Sequence, residues 1–140
     1  MVKKSGKLEL LGKTLQDEAR VVEVNGVFWD GFLPILRLQW DKEMEKNLPG
    51  VVEKVTPKFE YLEKFYGEKE FALGYLTIAD FKIVEFSHWI EKVAPEIYKK
   101  FGFLKRVGDA FHSLPEIKKY YEKERAVKGP FVIASANIQI

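Results

Sequence analysis

Apolar residues recur along most of this chain at helical spacing, and strand-like alternation is weak. Leu15, Ala19, Val22, Gly26, Trp29, Leu33, Leu36 and Trp40 follow one another at intervals of 4, 3, 4, 3, 4, 3 and 4, which predicts one face of a long helix. Thr14-Leu15-Gln16-Asp17 predicts its start, as a capping box with Asp in place of the usual Glu. Gly26 costs about 1 kcal/mol against Ala in a helix, so its place on this face predicts close approach by another backbone. Pro34 has no N–H for the carbonyl of Asp30 and predicts a kink or restart near residues 30–34.

A charged connector is expected over Asp41 to Asn47. Helical spacing then resumes at Leu48, Val52, Val55, Phe59, Leu62 and Tyr66, with a second start at Thr56-Pro57. Residues 67–74, bounded by glycines, read as a loop. The strongest local signal follows. Thr77 is placed as an N-cap, with Asp80 as the residue that reaches back to it, and Leu76 and Phe81 occupy the positions of a hydrophobic staple. Ile78, Phe81, Ile83, Val84, Phe86, Trp89, Ile90 and Val93 make the helix beyond them apolar on more than one face, which predicts a central position. Pro95 predicts its end. Phe103, Leu104, Val107 and Phe111 line a further short helix, and Ser113-Leu114-Pro115-Glu116 predicts a capping box opening a last helix to about Arg125. The expected fold is all-α, a bundle of five or six helices. Residues 1–7 form a basic lead-in, 8–125 the helical domain, and 126–140 an apolar C-terminal tail packing on that domain.

Composition agrees with one domain. The chain has 140 residues, and 46% are hydrophobic, enough for a core without staples. Net charge is +2, so neither nucleic acid nor membrane is announced as a partner. There are no cysteines, which excludes disulfides, zinc–thiolate sites and a cysteine nucleophile. No apolar run reaches the roughly 18 residues of a membrane span, and a cytoplasmic protein is expected.

Candidate chemistry is sparse. His88 and His112 have no metal-ligand spacing, no phosphate loop is present, and no nucleophile elbow occurs. No metal and no cofactor is expected. The stretch from Lys99 to Lys128 is basic; it reads as a solvated helix face or, as the weaker alternative, a nucleic-acid surface. Asp30 stands out because Trp29, Gly31 and Phe32 surround it. An acid among such neighbours is either an exposed carboxylate at a helix turn or a functional group.

Taken in order, these motifs resemble the C-terminal helical domain of the cytosolic glutathione transferases, nearest the mu and sigma members of the alpha/mu/pi/sigma group. Gly12-Lys13-Thr14 is similar to the family's Gly-x-Thr opening. Gly74 to Phe81 is similar to its Gly-x-x-[Ser/Thr]-x-x-Asp capping box and staple. Leu114-Pro115-Glu116-Ile117 followed by Tyr120 is similar to its late Leu-Pro-x-Ile-x-x-Tyr segment, and Pro130, Ala136 and Ile138 resemble a mu-like tail. The resemblance runs from about Leu8 to Ile138.

It implies a transferase that joins glutathione to hydrophobic electrophiles in detoxification, as a homodimer when the thioredoxin-like N-terminal domain is present. Asp30 falls where the family places an aspartate that reaches across the dimer to the γ-glutamyl amine of glutathione. Gly31, Phe32, Leu36, Trp40, Val132 and Ile133 fall at or near positions lining the electrophile pocket, with ordinary core as their other reading. Trp40 stands where mu and pi members carry a tyrosine and cannot supply its hydroxyl. Thr77 and Asp80, with Leu76 and Phe81, carry over as structural residues. The resemblance covers none of the thiol-activating domain, so this chain alone is expected to be inactive and to hold no catalytic residue. A stand-alone, non-catalytic module that binds ligands or proteins is the alternative.

Overall fold

The structure, a computed structural model, describes residues 6–122. It has six α-helices and, among the described residues, no strand: α1 (Leu15–Arg37), α2 (Met44–Tyr66), α3 (Ile78–Val93), α4 (Pro95–Lys100), α5 (Gly102–Ser113) and α6 (Pro115–Tyr121). Short 3-10 turns occupy Leu8–Leu11 and Leu38–Trp40. The fold is the expected all-α bundle. α1 and α2 pack along each other, and α3 lies against α1, α4 and α5.

α1 starts as its sequence predicts. The Thr14 side chain accepts from the Asp17 N–H at 3.1 Å. Asp17 reaches back one residue further than a standard box requires, taking the Lys13 N–H at 3.2 Å. Gly12 makes this turn possible. Its φ is +127°, and a Cβ there would lie 2.6 Å from the Glu18 nitrogen.

The face that α1 buries is not the one its spacing predicted. Val21, Val24, Phe28, Phe32 and Ile35 enter the core, while Leu15 is 81% and Val22 70% exposed, and Trp29 and Trp40 are also exposed. The helix carries two apolar lines, and the other described residues cover only one of them. The small residue at the close approach is therefore Gly31 instead of Gly26. A Cβ on Gly31 would lie 3.0 Å from Phe59 Cε2 and 3.3 Å from Lys58 Cβ, whereas nothing stands within 4 Å of one on Gly26.

Neither helix restarts at the prolines where a restart was a possible reading, Pro34 and Pro57. Pro34 lies inside α1, and Pro49 and Pro57 lie inside α2, which begins at Met44 within the expected connector and has no second start. An interior proline costs about 3 kcal/mol. Phe32 and Ile35 flank Pro34, and Val55 and Phe59 flank Pro57, all at 0–1% exposure. Each such side chain contributes about 1.5–3 kcal/mol on burial, so packing outweighs the local penalty.

The core is aromatic. Phe32 stacks on Phe86 at 4.4 Å and meets Trp89 edge-on at 5.6 Å. Phe59 stacks on Phe101 at 5.6 Å, and Tyr66 on Phe103 at 5.1 Å. Residues 67–77 connect α2 to α3 without helix or strand, as the sequence predicted over 67–74.

At the head of α3 the reciprocal capping box of Thr77 and Asp80 is formed. Asp80 does more than cap. One carboxylate oxygen accepts from the Thr77 N–H at 2.8 Å and its hydroxyl at 2.9 Å. The other accepts from the Tyr66 hydroxyl at 3.0 Å and the Ala72 N–H at 2.8 Å. Burial pushes the Asp80 carboxyl up, against the pull of these four donors.

Two further ties bind α2 to α5. The Glu63 carboxylate accepts from the Phe103 N–H at 3.1 Å, capping the head of α5, and the Arg106 guanidinium donates to the carbonyls of Gly67 and Lys69 just past α2.

α3 ends at Val93, and Pro95 opens α4, a short helix the sequence did not predict. The box expected at Ser113 to Glu116 does not form. Ser113 closes α5, its hydroxyl donates to the Ala110 carbonyl at 2.8 Å, and Leu114 takes the cap position of α6. The expected end near Arg125 and the tail at 126–140 lie outside the described residues.

Two stability series follow. Asp80→Ala leaves four buried donors without their acceptor and is expected to cost on the order of 3–5 kcal/mol in urea unfolding. Tyr66→Phe removes one donor and is expected to cost about 1 kcal/mol; equal losses would show that the carboxylate is no hub. Gly26→Ala adds a methyl in open space and is expected to stabilise by about 0.5–1 kcal/mol. Gly31→Val meets Phe59 and is expected to destabilise by about 1–3 kcal/mol.

Candidate functional site

Residues 30–40 hold most of the sequence-predicted site, and helix geometry separates them. Successive residues on a helix point about 100° apart. Asp30 is exposed and makes no hydrogen bond or ion pair with the described residues. Gly31 faces α2 at the Phe59 contact. Phe32 is fully buried in the aromatic core. Leu36 is half-buried against that core, and Trp40 is 47% exposed at the end of its 3-10 turn. Val132 and Ile133 lie outside the described residues.

The arrangement offers one free carboxylate beside an outward apolar line. Trp29, Leu33, Leu36 and Trp40 recur at helical spacing, with Trp29 and Trp40 exposed and the two leucines half-buried. The Lys82 ammonium sits 5.3 Å over the Trp29 ring. A carboxylate next to apolar surface suits a ligand with an ammonium and an apolar body.

Two polar clusters flank this helix. At its start, the Tyr75 hydroxyl donates to Asp17 at 2.9 Å and accepts from the Lys13 N–H at 3.1 Å, while the Lys13 ammonium lies 4.1 Å over the Tyr75 ring. The Tyr75 hydroxyl is the main cause holding the Asp17 carboxyl below its usual range. Further along, the Tyr61 hydroxyl of α2 donates to Glu23, which also pairs with Arg20 at 2.7 Å; this holds the Glu23 carboxyl down and pushes the Tyr61 phenol up.

Of the six described basic residues in this stretch, three are engaged in structure. Lys100 pairs with Glu60 at 3.3 Å, Lys105 with Asp109 in the same helix, and Arg106 with backbone carbonyls. That favours a solvated helix face. Among the described residues no group of three or more His, Cys, Asp or Glu side chains could hold a metal ion, and no helix is long and apolar enough to cross a membrane.

Sequence reasoning missed a groove between α3, α5 and α6, with His88 and Trp89 on one wall and Phe111, Tyr120 and Tyr121 on the others. Its residues come from three separated segments, each of which reads as ordinary core or surface.

The family model for the C-terminal domain of glutathione S-transferase matches residues 29–124. The chain belongs to the glutathione S-transferase family. It is 25% identical over 120 residues to a glutathione S-transferase of Dermatophagoides pteronyssinus, covering 85% of this chain and 55% of that protein. It is 25% identical over 122 residues to a class-mu 26 kDa isozyme of Fasciola hepatica, covering 86% and 56%. With glutathione S-transferase Mu 1 of Bos taurus it shares 26% identity over 131 residues, covering 93% and 60%. The chain therefore spans little more than half the length of these transferases, and what it matches is the helical C-terminal domain of the family. Asp30, the capping box and the groove all fall inside the matched segment.

The Asp17 latch yields a pH prediction. Its folded-state pKa lies below the ordinary 3.8, so its stabilisation is present above pH 3.8 and is lost as pH falls through the folded value. Asp17→Asn is expected to lower stability at pH 7 and to flatten its decline between about pH 4 and 2. Parallel acid-unfolding curves for the two proteins would exclude the latch.

Proposed function

We propose that this chain is the electrophile-binding C-terminal part of a glutathione transferase that conjugates glutathione to hydrophobic electrophiles, and that alone it does not catalyse the reaction. The observation that carries this reading is the exposed, unpaired Asp30 carboxylate within the family-matched segment, bordered by Trp29, Leu36 and Trp40. An ammonium held against that carboxylate gains a charge-assisted contact, which fits the γ-glutamyl end of glutathione. The apolar line beside it offers a wall for the electrophile, and Val132 and Ile133 would complete that wall. Leu15, Val22 and Trp29 supply exposed apolar surface of the kind a second subunit covers in a homodimer.

Conjugation requires lowering the thiol pKa of glutathione and placing the thiolate beside the electrophile. A carboxylate disfavours a nearby thiolate, so Asp30 serves binding and leaves activation to a group elsewhere. In a protein that carries the glutathione-activating domain, Asp30→Ala is expected to weaken glutathione binding about tenfold or more by calorimetry. Unchanged affinity would remove Asp30 from the site. The purified chain alone is expected to conjugate glutathione to a hydrophobic electrophile no faster than the uncatalysed reaction, and clear turnover would overturn that part of the reading.

A stand-alone ligand-binding module is the second reading. The aromatic groove between α3, α5 and α6 favours it, because it needs nothing from outside the described residues.

A further inference from the structure

Gln39 stands apart from the other polar residues of the interior. It lies in the turn Leu38–Trp40 that closes α1, and it is only 4% exposed. Thr77, Asp80 and Ser87 are buried too, and each makes hydrogen bonds. The Gln39 amide makes none with the described residues. Neither of its amide atoms is sealed from solvent. This carboxamide has given up most of its hydration without gaining a partner, and a group that reaches it gains a hydrogen bond at little further cost.

Its place in the chain brings the amide to a particular surface. Leu38 keeps right-handed helical angles, φ −60° and ψ −23°, so α1 runs on into the turn. In a 3-10 turn residues i and i+3 eclipse, and in an α-helix residues three and four apart are neighbours. Gln39 follows Leu36 by three residues and Trp40 follows it by four. Both therefore border the half-buried Leu36 from one end, the first with a free amide and the second with an indole that is 47% exposed. Asp41, next along, is occupied elsewhere: its carboxylate accepts from the Glu43 N–H and the Asn47 side chain, each at 2.8 Å.

An amide in such a position discriminates by chemistry. It is uncharged, and it compensates the desolvation of a neutral partner far better than that of an ion. A carbonyl oxygen is a neutral acceptor for its N–H. In an α,β-unsaturated ketone the same oxygen makes the adjoining carbon–carbon double bond electrophilic, so the group that the amide holds also marks the molecule as an electrophile.

We infer that Gln39 is a specificity-determining residue of the apolar wall, its side-chain N–H donating to the carbonyl oxygen of a hydrophobic electrophile whose body lies on Leu36 and Trp40. The inference rests on the reading of that wall as the electrophile site.

Benzylideneacetone, a neutral enone, and propenylbenzene, which lacks the carbonyl, are suitable probes for equilibrium dialysis with the full chain. The chain has no cysteine, so the enone binds without alkylating a thiol. Gln39→Met keeps the length of the side chain and removes the amide. It is expected to weaken enone binding about fivefold and to leave propenylbenzene within twofold. Gln39→Leu is expected to do the same, and circular dichroism shows whether each variant is folded. Trp40→Ala removes part of the wall and is expected to weaken both ligands about fivefold or more. Enone binding unchanged in the folded Gln39 variants, with both ligands weakened by Trp40→Ala, would overturn the role of Gln39 and leave the wall standing. Equal losses of both ligands in the Gln39 variants would show that the residue only packs, and would also overturn it. Both ligands unaffected by Trp40→Ala would overturn the wall itself, and the inference with it.

Discussion

The Asp80 carboxylate has no solvent exposure and accepts from four donors. Such a group is expensive to bury alone, and only a full set of partners makes it tolerable. Its partners come from three places: Tyr66 at the end of α2, Ala72 in the connecting loop and Thr77 at the head of α3. One side chain thus sets where α2 stops, how an irregular segment returns, and where the central helix begins. Because α3 touches α1, α4 and α5, an error at this point passes to most of the bundle. The α2–α5 ties through Glu63 and Arg106 anchor the same loop from its other side.

That anchor was also the part most legible in the sequence. A capping box is local chemistry, spanning four residues, and its geometry is fixed by the helix start itself. The face of α1 was not legible in the same way. Its first line of apolar residues contains Leu15, Val22, Trp29 and Trp40, and its second contains Val21, Val24, Phe28 and Ile35. Both satisfy a helical period. Which line is buried depends on what α2 and α3 can cover, and that information lies far along the chain. The prolines failed as signals of a helix restart for a related reason. A proline penalty is local and about 3 kcal/mol, while the buried residues beside Pro34 and Pro57 gain more than that through contacts the local rule cannot see.

For the candidate site, residue type was legible and direction was not. Asp30 stood out because an acid among aromatic residues needs a reason. Gly31 and Phe32, its immediate neighbours, carry an electrophile-pocket reading with ordinary core as the other, and they turn toward Phe59 and Phe86. Adjacent residues of one helix cannot all face a single pocket, so a family position near a site is weaker than a family position in it. The groove at Trp89 shows the converse. Residues 81–89, 111–112 and 120–121 have no shared sequence pattern, and only the turn from α5 into α6 brings the tyrosines opposite α3.

Charge also constrains where Asp30 can act. Placed beside a sulfur, its carboxylate would raise the thiol pKa and suppress the thiolate that conjugation needs. Placed beside an ammonium, the same charge contributes binding and leaves the thiol untouched. In the proposed role, Asp30 meets the γ-glutamyl end of the tripeptide while the sulfur lies away from it. That proposed role leaves thiol activation to a group on other structure. It would also account for a polar position at Asp30 beside the apolar line through Trp29, Leu36 and Trp40: in the proposed role one segment grips a charged anchor and offers a dry wall, and neither feature has to perform the bond-making step.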